Sequence, residues 1–265
     1  MLKCNYHTHL KLCHHAEGMS EDYVKEAIRL GMKEIGISDH APVPETFMTK
    51  EEYISNYCDE NMTYDTFINE YILDVLKAKE KYKNDIKVIL GLETEYISDY
   101  HEYYQGLRDK VDYLILGMHF FKQGDRIKNI YLPMSKEDVL DYARSVEIAL
   151  DSGLFKYLAH PDLFMYMYND NVFDSYAVEA SNIIIDAAIR NDCLLELNAG
   201  GVKYGMLNGS YRYPHKEFFE IAKAKKAKII LGADAHYIDQ LSNYQIEEII
   251  KIKEELNLDT VTYMD

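Results

Sequence analysis

The chain has no tryptophan, only four cysteines, and far fewer basic than acidic residues, 29 Lys and Arg against 45 Asp and Glu. Cys4, Cys13, Cys58 and Cys193 form no C-x-x-C pair and no regular framework. That excludes a disulfide scaffold and points to reduced thiols in a cytosolic protein. A formal net charge of -16 argues against nucleic acid as a partner, because nucleic acid needs a basic face. An anionic small substrate stays open, since bound divalent cations reverse the sign of the local field. No apolar run approaches a membrane span and the N-terminus shows no charged-then-apolar signal, so the expectation is a cytoplasmic protein with no membrane partner. Low-complexity segments, internal repeats and linkers are also missing. Residues 1–265 are therefore expected to form one domain, a common size for an undivided α/β barrel. The 24 tyrosines point to no function by themselves.

What is present is an alternation of short apolar runs with amphipathic stretches. Helices are expected from Ser20 (as cap) to about Leu30, over Thr63–Lys83, about Tyr100–Lys110, Ser135–Asp151, Ser175–Arg190, Pro214–Lys226 and Asn243–Leu256. Strands are expected at the N-terminus and at Glu34–Ser38, Ile86–Leu92, Tyr113–Gly117, Phe155–Ala159, Cys193–Leu197 and Lys228–Gly232. Continuous apolar strands of this kind are buried on both faces, as in a parallel sheet wrapped by helices. Seven such units predict an α/β barrel near the eightfold form. The stretch Ala41–Met62 has no clear period and is long enough to be a functional loop over the site.

In such barrels the chemistry lies at the C-terminal ends of the strands. Metal-ligand residue types cluster there. His7 and His9, two apart in an extended first strand, share a face. Asp39-His40, Glu93, His119, His160 and Asp234-Ala235-His236 each follow an apolar run. Imidazoles mixed with carboxylates suit several divalent ions, and groups of ions a few ångströms apart are common in phosphatases. Cys13 is not expected to be a ligand, and His101 and His215 are expected on the surface.

His7-Thr8-His9, Cys13-x-His15-Ala16-Glu17-Gly18, Ser38-Asp39-His40, Gly91-x-Glu93, Gly117-x-His119-Phe120, Ala159-His160-Pro161 and Ala233-Asp234-Ala235-His236 together resemble the polymerase-and-histidinol-phosphatase (PHP) superfamily. They look most like its stand-alone histidinol-phosphatase branch. The resemblance implies a distorted single-domain (β/α)7 barrel with two to three divalent ions, zinc, iron or manganese. It places His7, His9, Glu93 and Asp234 on one ion and Glu93, His119 and His160 on a second. His15, His40 and His236 serve the third, with His14 pointing away. Asp39 and Asp162 would orient imidazoles or donate a proton to the leaving alcohol, and His236 is counted with the catalytic groups as well as the ligands. The implied reaction is hydrolysis of L-histidinol phosphate to L-histidinol and phosphate, a step of histidine biosynthesis.

One departure bears on the substrate. Many relatives of that branch carry an arginine shortly after the His-x-Asp element, where this chain has Leu163-Phe164-Met165-Tyr166-Met167. Lys203 and Arg212 are the replacement cations expected to bind substrate. The departure favours the alternative of another small phosphate ester, such as a nucleotide or sugar phosphate. A barrel kept only for binding should have lost ligands, and this chain keeps the set. A metal-dependent amidohydrolase often bridges its metals with a lysine at a strand end, and none of these strand ends offers one.

Overall fold

A computed structural model describes residues 2–44, 47, 62–124 and 126–264. Most of the expected loop Ala41–Met62, and Cys58 with it, lies outside the described residues. The barrel strands are β1 (Cys4–Asn5), β2 (Glu34–Ile37), β3 (Lys87–Thr94), β4 (Tyr113–Leu116), β7 (Tyr157–Leu158), β8 (Leu194–Asn198) and β11 (Ile229–Gly232). They form one seven-stranded sheet in the order β1-β2-β3-β4-β7-β8-β11, with every neighbouring pair parallel. Beyond the strand ends Thr8 bridges Ala235, with the His9 N–H on Ala235 O at 2.8 Å, so the sheet curls into a nearly closed barrel. Asn5 locks this seam. Its amide donates to Thr8 Oγ1 at 2.7 Å and its oxygen accepts the Ala233 N–H at 2.8 Å.

The helices are α1 (Ser20–Arg29), α2 (Ile72–Lys81), α3 (His101–Arg108), α4 (Lys136–Asp151), α5 (Ser175–Arg190), α6 (Lys216–Ala224) and α7 (Tyr244–Glu255). Ser20 proves to be the first residue of α1 rather than its cap: the Asp22 carboxylate reaches back to the Met19 N–H at 2.9 Å. The approach to α2 is not plain α-helix either. A π-helical turn at Phe67–Tyr71 widens it and turns Tyr71 fully inward. There its hydroxyl lies 2.6 Å from Gly91 O and 2.9 Å from Ile37 O, tying β2 to β3 just below the mouth. Two hairpins lie outside the barrel, β5 (Phe120–Gln123) with β6 (Arg126–Asn129), and β9 (Met206–Leu207) with β10 (Ser210–Tyr211).

The tyrosines partly explain themselves here. Tyr6, Tyr113 and Tyr157 fill the barrel interior with Ile89, Ile115 and Ile230. Glycine is required opposite one of them, because a Cβ at Gly91 would enter the Tyr113 ring. A larger apolar layer lies between strands and helices. Among the described residues no helix is long and apolar enough to cross a membrane.

The start of α4 offers a stability test away from the mouth. Ser135 and Asp138 form a capping box, and the Asp138 carboxylate also accepts from Gln123 at 2.6 Å and from Lys128. Burial pushes the Asp138 carboxyl up, but Lys128 and Ser135 outweigh it and hold it at about 2. A depressed carboxylate contributes stability above its unfolded value and loses it as pH falls, here from about 4 to about 2. Asp138→Asn should therefore cost roughly 2 kcal/mol at neutral pH, with the difference shrinking over that window. Thermal melts of both proteins between pH 6 and pH 3 check this; a gap that stays constant would contradict it.

Candidate metal centre

The strand ends bring the histidines and carboxylates to one mouth. His7 and His9 stand on the segment that continues β1, with ring centroids 5.0 Å apart. Glu93 is the last residue but one of β3 and is 2% exposed, and a Cβ at Gly117 would collide with its carboxylate, so that glycine makes room for it. His160 and Asp234 follow β7 and β11 with φ of 30° and 49°, left-handed backbone that non-glycine residues avoid unless the surroundings impose it. These turns swing both side chains into the mouth. Together with His15, His40, His119 and His236 they line a cavity of about 210 Å³, joined by Tyr131, Lys203, Tyr204 and Tyr213.

Donor atoms about 2.1 Å from one ion at tetrahedral angles lie about 3.4 Å apart. His7 Nε2 lies 3.4 Å from Glu93 Oε1 and 3.5 Å from Asp234 Oδ1, and His9 Nε2 lies 3.3 Å from Asp234 Oδ1 and 3.5 Å from Glu93 Oε2. On the other side Glu93 Oε1 is 3.0 Å from His160 Nε2 and 4.0 Å from His119 Nε2. Glu93 thus stands between two ligand sets. His40 Nδ1 lies 3.0 Å from Glu93 Oε2, and His9, His40 and His236 offer nitrogens within 4.8 Å of one another. His15 faces His40 and His236 at 5.1 Å each. His14 is exposed.

The chemistry of the donors fits divalent cations. The buried His7 Nε2 and both nitrogens of His9 lack hydrogen-bond partners among the described residues, an expensive arrangement unless something else fills it. Burial alone would lower the pKa of His7, yet the carboxylates of Glu196, Asp234 and Glu93 raise it well above the ordinary value, so its surroundings favour positive charge. Burial likewise opposes ionisation of Glu93, but His7, His40 and His160 keep its carboxyl well below the usual range. Burial and neighbouring imidazoles hold His15 down at about 3 and lower His40 and His236, favouring the neutral form in which imidazole binds metals. A divalent ion can replace the protons that balance these carboxylates.

Orienting groups complete the site. Glu95 accepts from His119 Nδ1 and from the His119 backbone N–H, each at 2.8 Å. His15 Nδ1 lies 2.8 Å from Cys13 O, leaving Nε2 for the cavity. Asp39 Oδ1 accepts the His40 N–H at 2.9 Å and lies 3.5 Å from His9 Nδ1. Glu196 matters most. Its Oε1 faces His7 Nδ1 at 2.9 Å and the Tyr157 hydroxyl at 2.8 Å, and its Oε2 accepts the His160 N–H at 3.0 Å and an Asn198 amide hydrogen at 2.7 Å. Neither Glu95 nor Glu196 is identified from the sequence as a site residue, although a glutamate inside an apolar strand is a signal, because it is seldom buried without partners. Cys13 lies near His9 and Asp39, but burial pushes its thiol up to about 11 and its Sγ donates to Leu10 O at 3.2 Å.

The structure places three residues otherwise than the sequence suggests. Asp162 lies outside the cavity lining, and its Oδ2 accepts the His215 N–H. The left-handed turn at His160 breaks the strand alternation that would have aimed the two side chains alike. His215 is buried rather than on the surface, stacked on Phe173 at 4.8 Å with Nδ1 2.9 Å from Glu217. Arg212 lies outside the cavity lining, and its guanidinium donates to Tyr166 O and sits 5.6 Å from the Tyr166 ring. Lys203 does line the cavity, and His101 is exposed.

Fold and site define a parallel barrel with a centre suited to divalent metal at its C-terminal mouth. The PHP domain model matches residues 5–200, and the chain belongs to that family. A probable histidinol-phosphatase of Deinococcus radiodurans is 24% identical, covering 98% of this chain and 96% of its own. The crystal structure of a putative histidinol phosphatase from Listeria monocytogenes superposes with a TM-score of 0.72 at 19% identity, covering 91% of this chain and 97% of the other. That of the Lactococcus lactis histidinol phosphate phosphatase, complexed with zinc, L-histidinol and phosphate, gives 0.68 at 18% identity, with 98% and 96% covered.

Proposed function

We propose that this chain hydrolyses L-histidinol phosphate to L-histidinol and phosphate, using two to three divalent ions of zinc, iron or manganese. The observation that carries the reading is Glu93, whose two oxygens face both ligand sets in a cavity of small-substrate size. Full-length similarity to histidinol-phosphatases supports the substrate. His7, His9, Glu93 and Asp234 would hold one ion, Glu93, His119 and His160 a second, and His15, His40 and His236 a third. When bound, the ions lower the pKa of water and offset charge on the phosphoryl oxygens.

The protein's own part is to hold that geometry. Glu196 and Glu95 fix the rings of His7 and His119, so that His7 Nε2 faces Glu93 and Asp234 while His119 lines the cavity. Asp39 steadies His9 and the backbone at His40. Asp162 acts at a distance, holding through the His215 N–H the loop that carries Tyr213. Lys203 supplies a cation for the phosphate in place of the arginine that the sequence lacks.

Phosphate release from L-histidinol phosphate, a nucleoside monophosphate and a sugar phosphate, by protein reconstituted separately with manganese, zinc and iron, tests the reading. A strong preference for L-histidinol phosphate is expected; preference for another ester would replace the substrate while leaving the metal centre in place. Lys203→Ala should raise KM for the preferred ester roughly 10- to 100-fold, the worth of a charged hydrogen bond to phosphate. An unchanged KM would remove Lys203 from the phosphate site.

A further inference from the structure

The seven-stranded sheet has two outer members, β1 and β11, and among the described residues no ladder joins them. Toward the mouth Thr8 bridges Ala235 and Asn5 reaches Ala233. At the opposite end of the barrel, away from the metal centre, a cavity of about 330 Å³ is lined by both strands and by α7, with Cys4, Ile230 and Ile250 among its walls. The segment 260–264 runs along this gap. Thr260 pairs with Ile229 in parallel register, and the Val261 N–H donates to Ile229 O at 2.8 Å. On the other side the Cys4 thiol donates to Thr262 O, and the Met264 N–H donates to the Tyr6 hydroxyl at 3.1 Å. One short stretch is thus bonded to both edges of the seam.

What this stretch holds is the chain that leads into His7 and His9. β1 is two residues long, so its ladder with β2 is a weak anchor by itself. Tyr6, which directly precedes His7, is fixed instead by its surroundings. Its carbonyl accepts from the Tyr113 hydroxyl at 2.5 Å, and its own hydroxyl donates to Glu34 at 2.7 Å while accepting from Met264. Val261 and Met264 also pack against the interior layer of Tyr6, Tyr113, Tyr157 and Ile230, which closes the barrel floor. Without the segment the lower seam would be free to widen, and a close-packed interior passes such a shift along the strand. Metal–ligand distances tolerate only about 0.2 Å, so a small movement at Tyr6 is felt at both imidazoles.

We propose that the segment 260–264 is a positioning element for the metal centre, acting from the far end of the barrel. By clasping β1 to β11 it fixes where His7 and His9 stand, and so sets the affinity for the ion they would share. This rests on the ligand assignment made above and adds to it residues that touch neither ion nor substrate. Val261→Pro removes the N–H that binds β11, and Met264→Pro removes the one that binds Tyr6. A clasp fails when either end is cut. Both changes should therefore have the same effect, and the double variant should lose no more than the worse of the two.

The experiment is residue-resolved hydrogen exchange on the metal-free chain, with zinc affinity measured separately by chelator competition. It compares wild type, Val261→Pro, Met264→Pro, the double variant and Val261→Ile. Exchange of the His9 and Ala235 amides, which bond across the upper seam, should quicken roughly 3- to 10-fold in each proline variant, the worth of one hydrogen bond. Amides between β3 and β4, away from the seam, should change less than about twofold. Zinc should bind roughly 3- to 10-fold more weakly, while Val261→Ile, which keeps the N–H and the apolar contact, stays within about twofold of wild type. Unchanged seam exchange, or equal quickening between β3 and β4, would overturn the proposal. So would unaltered zinc affinity beside faster seam exchange, or proline effects that multiply in the double variant. Neither measurement uses turnover: wild type that binds zinc yet hydrolyses none of the esters would end the proposed reaction and leave the clasp standing.

Discussion

Glu93→Gln is expected to lower turnover of any phosphate ester by a factor on the order of 10³ or more, and to release at least one ion from the protein. The size follows from position. Both Glu93 oxygens are used, Oε1 toward His7, His119 and His160, and Oε2 toward His9 and His40. An amide of the same shape has one acceptor oxygen, and its NH2 end would point at imidazole nitrogens that need a negative partner. Two ligand sets are damaged by one change. Metal content after dialysis, measured beside phosphate release, separates loss of ions from loss of folding, and circular dichroism completes the control. A variant that keeps a full complement of ions and most of its activity would show that Glu93 does not join the two sets.

Much of this architecture is legible in the sequence, for identifiable physical reasons. Seven apolar runs alternating with amphipathic stretches leave few arrangements other than a parallel barrel, and the observed strand and helix limits differ from the expected ones by a few residues. The strand-end residues are visible because a histidine or carboxylate directly after an apolar run has a defined place in such a fold. The hairpins are not visible. Phe120–Gln123 and Arg126–Asn129 are four residues each and mostly polar beyond the two phenylalanines, while Met206–Leu207 and Ser210–Tyr211 are two each. Segments so short carry no period. The π-helical turn at Phe67–Tyr71 leaves the helical spacing of apolar residues almost unchanged, so the pattern gives no warning of it.

The less visible half of the site consists of residues whose task is set by three-dimensional neighbours. Asn5 looks like an ordinary polar residue beside the first histidine, and only the closing of the barrel makes it the clasp between β1 and the exit of β11. Arg212 and Lys203 are equivalent cations in the sequence. The fold points one at the cavity and spends the other on Tyr166.

Glu196→Gln is the second large effect expected, and it discriminates a positioning group from a filler of space. Four donors converge on this carboxylate: the His7 ring and the Tyr157 hydroxyl on Oε1, the His160 N–H and the Asn198 amide on Oε2. A glutamine must turn its NH2 toward one of these pairs, placing donor against donor in a fully buried pocket that has no space for adjustment. Gly232 shows how tight that pocket is, since a Cβ there would strike Glu196. The loss should be about 1.4–2.7 kcal/mol, seen as a 10- to 100-fold weaker affinity for the ion held by His7, and the melting temperature should fall as well. Unlike Glu93→Gln, the variant keeps every residue assigned to the metals, so excess metal should restore much of its turnover. Competition with a chelator gives the affinity, and activity across a metal titration gives the rescue. Unchanged affinity in a folded variant would mean that packing against His9, Tyr157 and His160 suffices to hold the ring of His7.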